Sequence, residues 1–217
     1  MGSPTPHHLP TCPPPANRAA MFNDTTSLPA FLSTRRSGKP RDMIAPGPSP
    51  DQLKAILSAA IRVPDHGKLA PWRFVIIGAD QRDTLAAVLT TAYTREKPDA
   101  GRLEIESMEA MARQAPALVV ALSTPIIGSK IPLWEQELSA GAACMQFINA
   151  AHAQGFVASW LTGWPTYNAD VRTALGGGEN DKIAGFLFIG TPARDLEERP
   201  RPDYDAVVQN WDPVAVR

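Results

Sequence analysis

Four short apolar runs, separated from one another by helical segments, constrain the fold of this chain more than any other feature. Runs of this length, bounded by Gly, Pro or polar residues, are typical of strands. The first run, between Pro71 and Gly78, predicts a buried strand. Strands that alternate with helices indicate layers of helix and sheet around one core, but they leave the strand order open. The four predicted strands cover residues 73–77, 117–123, 156–161 and 183–189.

The helical segments carry start signals and apolar stripes. Ser49 is predicted as an N-cap, Pro50 as the first helical residue, and Gln52 as the third residue of a capping box. Apolar residues then recur from Leu53 at helical spacing. The helix predicted over residues 132–154 is apolar on nearly all sides, which favours a central position. Further helices are predicted from residue 28 to a stop at Gly38, and over residues 81–93, 102–114 and 169–175.

Composition limits the domain organisation and excludes several classes of protein. At 217 residues, 44% of them hydrophobic and 20% charged, the chain fits one globular domain. Residues 1–22 are Pro-rich and predicted to be disordered, and residues 23–217 are predicted to form the domain. The net charge of −1 provides no basic surplus for nucleic acid. No apolar run is long enough for a membrane span and no secretory signal is recognisable, so a cytoplasmic location is predicted.

Motifs that activate a nucleophile or a metal are missing. The chain has no G-x-S-x-G elbow, no phosphate-binding P-loop and no G-x-G-x-x-G dinucleotide loop. The two histidines of the predicted domain, His66 and His152, have no neighbouring carboxylates at zinc-ligand spacing. We therefore predict no metal site and no catalytic side chain. Any chemistry is expected to be carried by a bound cofactor.

Three segments contain groups that could hold such a cofactor. Arg35, Arg36 and Ser37 offer phosphate donors, although basic side chains also favour helix C-termini. Residues 62–72 form a loop stiffened by prolines, which is suited either to ligand contact or to capping a helix. Residues 160–164 combine two tryptophans with a glycine, and such aromatics more often fill a core or an interface.

These segments, in this order, resemble the nitroreductase family of FMN flavoproteins. Arg35-Arg36-Ser37 is similar to the family's phosphate-binding segment, and Pro64-Asp65-His66 with Pro71-Trp72 is similar to the loop P-D-H-x-x-x-x-P-W of a short subgroup. Residues 132–141, 150–155 and 182–192 match later stretches of the family. The resemblance runs from about residue 28 to residue 192.

The resemblance implies an α+β fold, with a central and mostly antiparallel sheet flanked by helices. It also implies a homodimer with two FMN sites, each built from both subunits. The residues implied in cofactor binding are Arg35, Arg36, Ser37, Arg62, His66, Lys68, Trp160, Leu161 and Thr162. The residues implied in NAD(P)H binding are Ala150, Ala151, His152, Ala153, Gln154 and Gly155.

Two positions depart from the subgroup's pattern. Leu161 stands where members tend to carry an Arg, which removes one cation from the expected site. Lys68 stands where the wider family commonly has an Asn. A positive charge at Lys68 near the flavin would stabilise its anionic reduced form and raise its reduction potential.

The activity implied by the resemblance is electron transfer from NAD(P)H to small electron-poor acceptors, such as nitroaromatics or quinones, by a ping-pong mechanism. The protein's task is then positioning and tuning of the cofactor. Three alternatives stay open: a non-catalytic flavin-binding or redox-sensing protein, another flavin reaction on the same scaffold (reductive dehalogenation or flavin breakdown), and a structural dimer without cofactor.

Overall fold

A computed structural model describes residues 22–212 of the chain. The predicted disordered leader, apart from its last residue, lies outside the described residues. The chain divides into two compact units between Arg35 and Arg36. In the first unit, helix α1 (Leu28–Thr34) starts at Ser27, whose Oγ accepts a hydrogen bond from Ala30 N. This helix ends four residues earlier than the stop predicted at Gly38, since Arg35 already has extended ψ.

The second unit contains a five-stranded sheet and the remaining helices. Its strands are β1 (Met43–Ile44), β2 (Trp72–Ile77), β3 (Ala117–Ser123), β4 (Val157–Leu161) and β5 (Lys182–Pro192). Its α-helices are α2 (Pro50–Ala60), α3 (Arg82–Glu96), α4 (Arg102–Arg113), α5 (Leu133–Ala153), α6 (Trp164–Tyr167), α7 (Ala169–Ala174) and α8 (Tyr204–Val207). Short 3-10 turns occupy Pro40–Asp42, His66–Lys68 and Ala79–Gln81.

Every strand pair in the sheet is antiparallel. β5 lies between β3 and β4, β2 pairs with the other edge of β3, and β1 pairs with the last two residues of β5. The predicted α+β fold with a mostly antiparallel sheet is confirmed. The strand order follows from pairings between distant segments, which explains why the sequence pattern left it open.

The sheet has a hydrophobic core on each face, because successive side chains of a strand point to opposite sides. In β3, Leu118 and Val120 face the core that contains α3 and α4, whereas Val119 and Ala121 face the core of α2 and α5. Nine of the 21 residues of the Ala-rich α5 are buried, and they recur at the three- and four-residue spacing of one helix face. This face contributes to the core that α5 shares with α2.

One prediction about local structure is wrong, and three short elements were not predicted. Residues 73–77 were predicted to form a buried strand, but β2 is an edge strand: Arg73 is exposed and Ile76 is 51% exposed. An apolar run also fits an edge strand, because much of the accessible surface of a folded protein is apolar. The short elements β1, α6 and α8 were not predicted, since none has enough residues for a periodic pattern.

The described residues contain no helix whose length and hydropathy would suit a membrane span. Within residues 22–212, no cluster of three or more His, Cys, Asp or Glu side chains could hold a metal ion.

Candidate functional site

A polar cleft of about 90 Å³ lies where the chain enters the second unit and where it leaves β5. The segment from Arg36 to Asp42 forms one wall, and the segment after Pro192 forms the other. Buried Gly38 lets the backbone approach β4 closely, since a Cβ there would lie 3.2 Å from Val157 Cγ2. Four cationic side chains line the cleft together with three carboxylates and the Ser37 hydroxyl: Arg36, Lys39, Arg41, Arg194, Asp42, Asp195 and Glu197.

Glu197 occupies part of this cationic environment. The Lys39 Nζ donates a hydrogen bond to Glu197 Oε2 at 3.1 Å, and Arg36 Nε donates to the Glu197 carbonyl at 2.6 Å. The hydrogen bond and charge of Lys39, with smaller contributions from Arg36 and Arg194, lower the pKa of the Glu197 carboxyl group. The two walls of the cleft are thus held together by charge-assisted hydrogen bonds.

The loop between α2 and β2 is tied to the first half of α5. Ser139 Oγ donates to the Pro64 carbonyl at 2.7 Å and accepts from Trp72 Nε1 at 3.1 Å. His66 Nδ1 lies 2.6 Å from Glu135 Oε2. Asp65 Oδ2 accepts a hydrogen bond from Ala70 N at 2.8 Å.

The loop combines an internal hydrogen bond with exposed polar side chains. Asp65 satisfies the backbone amide of Ala70 within the loop and caps no helix, whereas His66 is bound to a side chain of another element. The side chains of Arg62, His66 and Lys68 are exposed. Ligand contact by these three side chains stays a prediction.

Trp160 and its neighbours lie at the end of β4 in three different environments. The indole Nε1 of Trp160 donates to the Ala184 carbonyl at 2.9 Å, and the ring lies against Gly185 on β5. Leu161 packs against the core on the α3 side, whereas Thr162 is exposed. Trp164 makes an edge-to-face contact with Tyr93 and donates to Glu96, which is a structural role.

The predicted nicotinamide segment lies at the end of α5 and is partly buried. Ala151 and His152 are buried, and His152 Nδ1 lies 3.1 Å from the Phe156 carbonyl oxygen. Ala153 and Gly155 are exposed, and Ala150 and Gln154 are half-buried. Only part of this segment therefore offers surface to a ligand.

The structure brings together some of the predicted residues and separates others. Arg36 and Ser37 share the cleft, whereas Arg62, His66 and Lys68 do not line it. Arg35 is the last residue of the first unit. Sequence reasoning missed the three other cations of the cleft: Lys39, Arg41 and Arg194. Two of them follow Ser37 within four residues, which was a usable signal, but Arg194 approaches only through the fold.

Comparison with known proteins identifies the family. The sequence model of the nitroreductase family matches residues 33–191, which is most of the chain. The chain belongs to the nitroreductase family. The resemblance inferred from the sequence motifs is confirmed, and so is the expectation of an oxidoreductase, at the level of the family.

One curated relative and two solved structures place this nitroreductase-family chain more closely. YdjA of Escherichia coli strain K12, provisionally named an NAD(P)H nitroreductase, is 38% identical over 162 residues, which cover 75% of this chain and 86% of YdjA. A nitroreductase-like protein from Bacillus cereus superposes with a TM-score of 0.73 at 23% identity, covering 86% and 97% of the two chains. A Bacteroides fragilis nitroreductase with bound FMN gives 0.62 at 20% identity, covering 83% and 96%. The two structures show that the fold is shared.

Proposed function

We propose that this protein is an FMN-dependent oxidoreductase that passes electrons from NAD(P)H to small electron-poor organic acceptors, such as nitroaromatics or quinones. The observation that carries the proposal is the cleft in which Arg36 and Ser37 of the family's phosphate-binding segment meet additional cations. The names of the relatives, an NAD(P)H nitroreductase and a nitroreductase with bound FMN, support it.

The donors of the cleft fit the phosphate of FMN. Guanidinium groups bind phosphate oxygens bidentately, and a hydroxyl adds a directional hydrogen bond. Arg36 and Ser37 supply these groups on one wall, where Lys39 adds an ammonium group, and Arg194 supplies a further cation on the other wall. The chemistry that bound FMN would supply is hydride transfer: from the nicotinamide to the flavin, and from the flavin to the acceptor.

The residues of the chain position the cofactor and its substrates. Arg36 and Ser37 would hold the phosphate, with Arg35 beside them in the sequence. Arg62, His66 and Lys68 would reach the flavin ring, and Trp160, Leu161 and Thr162 would line it. Among the residues of the nicotinamide segment, Ala153, Gln154 and Gly155 have the accessible surface. We expect ping-pong kinetics, because NAD(P)H and the acceptor would occupy the same position at the flavin one after the other.

We propose a homodimer in which the loop of one subunit completes the cofactor site of the other. The separation of the loop from the cleft within one chain supports this arrangement. So does the start of α5, where the large apolar side chains of Leu133, Trp134 and Leu138 are exposed close to the loop anchors Glu135 and Ser139. Apolar groups clustered in this way are typical of protein interfaces.

The test is an anaerobic absorption spectrum of the purified full chain, before and after addition of NADPH or NADH. Bound flavin that bleaches quickly and is reoxidised by a nitroaromatic or a quinone is the expected result. Flavin that stays oxidised would favour a redox-sensing role, and loss of the flavin itself when turnover is repeated in air would favour flavin breakdown. A chain that takes up no FMN would overturn the proposal.

The site assignment is tested by Arg36→Ala. Loss of a charge-assisted hydrogen bond worth about 1.5–3 kcal/mol is expected to raise the Kd for FMN roughly 10- to 100-fold. Arg102→Ala is the matched control, since Arg102 is an exposed α4 residue paired with Glu106. Equal FMN affinity of both variants in a fluorescence titration would contradict a phosphate site at Arg36.

A further inference from the structure

The first half of α5 holds the loop of residues 62–72 at three points. Ser139 bonds to Pro64 and Trp72, at the two ends of the loop, and Glu135 bonds to His66 between them. Glu135 and Ser139 are four residues apart on a helix, and residues at this spacing lie on the same face. One face of α5 therefore acts as the support of the whole loop.

The backbone of the loop makes this support necessary. Gly67, Lys68 and Ala70 have positive φ values of 78°, 59° and 44°. For residues other than glycine this conformation is unfavourable and persists only where surrounding contacts impose it. The Ser139 hydroxyl holds the residues on both sides of this segment, because it bonds to Pro64 and Trp72. Its residue is only 6% exposed, so these hydrogen bonds are shielded from water.

The contact with Glu135 determines the hydrogen-bonding character of His66. A carboxylate only accepts hydrogen bonds, so the 2.6 Å contact requires the proton on Nδ1 of His66. Nε2 is then the ring nitrogen left for another partner. In the neutral ring this nitrogen accepts a hydrogen bond, and in the protonated ring it donates one.

We propose that Glu135 is a positioning residue that holds His66 in the Nδ1–H tautomer and fixes the orientation of its ring. His66 then presents Nε2 to the cofactor, and Ser139 holds the loop that carries it. The consequence for FMN rests on the proposed function, whereas the tautomer belongs to the protein itself. The class of ligand group recognised is the polar edge of a heterocycle, which has both donors and acceptors.

If the His66–Glu135 pair served only to stabilise the fold, its loss would lower the melting temperature. The side chains of His66 and Glu135 are 63% and 44% exposed, and exposed ion pairs contribute little to the stability of a fold. Loss of the pair should therefore leave the melting temperature nearly unchanged. The tautomer and the affinity for cofactor are the quantities that separate positioning from folding.

The first experiment measures the tautomer of His66 without any flavin. Long-range ¹H–¹⁵N correlation spectra of the full chain, recorded well above the pH range in which histidines titrate, distinguish a protonated Nδ1 from a protonated Nε2. His66→Gln identifies the His66 signals by their loss. We expect the Nδ1–H form in the wild type and a shift towards Nε2–H in Glu135→Gln. A wild-type His66 with the proton on Nε2 would overturn the proposal.

The second experiment is a double-mutant cycle on FMN affinity, with Glu135→Gln and His66→Gln. If Glu135 acts through His66, Glu135→Gln should raise the Kd roughly 3- to 10-fold in the wild type and hardly at all in the His66→Gln background. Glu137→Gln is the matched control: it lies on the same helix and its carboxylate is 2.6 Å from Lys182 Nζ. We expect this variant to bind FMN as the wild type does.

The outcomes separate the inference from the proposed function. If Glu135→Gln raises the Kd for FMN equally in the wild type and in the His66→Gln background, Glu135 does not act through His66. If Glu137→Gln raises the Kd as much as Glu135→Gln does, the effect is not specific to the contact between Glu135 and His66, and the proposal fails. Failure of the wild-type chain to bind FMN would overturn the proposed function, while the tautomer measurement would still decide whether Glu135 positions His66.

Discussion

At the scale of single residues, two glycines near Trp160 differ in how closely they approach its indole. Gly185 lies against the indole of Trp160, and a Cβ there would be 2.1 Å from Trp160 Nε1. A Cβ added at Gly141 would lie 3.8 Å from Cη2 of the same indole, which is an ordinary contact distance. The position of Trp160 therefore depends on Gly185 and not on Gly141.

Gly185→Ala is expected to displace the Trp160 indole and break its hydrogen bond to Ala184. Overpacking of this kind typically costs about 1–3 kcal/mol of unfolding free energy, measured by urea unfolding. Gly141→Ala is the control, because alanine in a helix interior is favoured over glycine by roughly 0.5–1 kcal/mol. Equal stability of the two variants would contradict the close packing at Gly185.

Lys68 is expected to raise the reduction potential of bound FMN. Because Lys68 has a φ of 59°, Lys68→Asn removes the charge while keeping a residue that tolerates this conformation. We expect a lower potential in Lys68→Asn, measured by anaerobic redox titration against a reference dye. Lys54→Asn, on exposed α2 surface, should leave the potential unchanged. An unaltered potential in Lys68→Asn would exclude the electrostatic role.

Burial raises the pKa of the Cys144 thiol from 9.0 to about 12, because the interior disfavours the thiolate. The unfolded chain therefore loses this proton at lower pH than the folded chain. The free energy of unfolding should fall as the pH rises between these two values, by at most about 1.4 kcal/mol per pH unit. Urea unfolding at several alkaline pH values should show a smaller decline for Cys144→Ala. Parallel declines would contradict this contribution.

At the scale of elements, local signals predicted the regular helices and strands, and long-range contacts decided the rest. The capping box at the start of α2 is present as predicted: Ser49 Oγ accepts from Gln52 N, and Gln52 Oε1 accepts from Ser49 N. β3 begins and ends at the predicted residues. The two-residue β1 exists only because β5 pairs with it, so no local pattern could have predicted it.

Ser49→Ala should lower the free energy of unfolding by about 1 kcal/mol, since it removes the N-cap of α2. Ser58→Ala, at an exposed position of the same helix, is the control and should be neutral or slightly stabilising. Chemical denaturation measures both. A Ser49→Ala protein as stable as the control would mean that tertiary packing alone holds this end of α2.

At the scale of the whole molecule, exposed apolar surface at the start of α5 lies beside the loop of residues 62–72. If the proposed homodimer forms there, the same contact would bury Trp134 and bring the loop to the neighbouring cofactor site. Assembly and cofactor binding would then depend on each other, because ligand bound at a shared site stabilises the assembled state.

Trp134→Glu is expected to convert the dimer into a monomer and to weaken FMN binding. Trp134 is 67% exposed, and Leu103→Glu on α4, where the leucine is 73% exposed, is the control. Light scattering coupled to size-exclusion chromatography should give a mass near twice 23.4 kDa for the wild type and the control. A dimeric Trp134→Glu protein would place the interface elsewhere, and a monomeric wild type would exclude the dimer.

The sequence by itself determined the longer helices and strands and, through its motifs, the family and the α+β class that the family implies. Helix caps, apolar periodicity and motifs depend on residues a few positions apart, which a single pass along the chain reveals. Arg36 and Ser37, which line the cleft, were singled out in this way, and the loop that contains His66 was singled out by its motif. The edge position of β2 was not predicted, because an apolar run does not show how many strands will pair with it.

Only the tertiary structure decided which polar groups meet. Lys39 and Glu197 are 158 residues apart in the chain, and His66 and Glu135 are 69 apart. Such pairs form because strand pairing and helix packing bring their elements together. The local sequence around each residue therefore does not show which distant residue it will contact. Long-range packing thus turned two recognisable motifs into a charged cleft and a loop supported by α5.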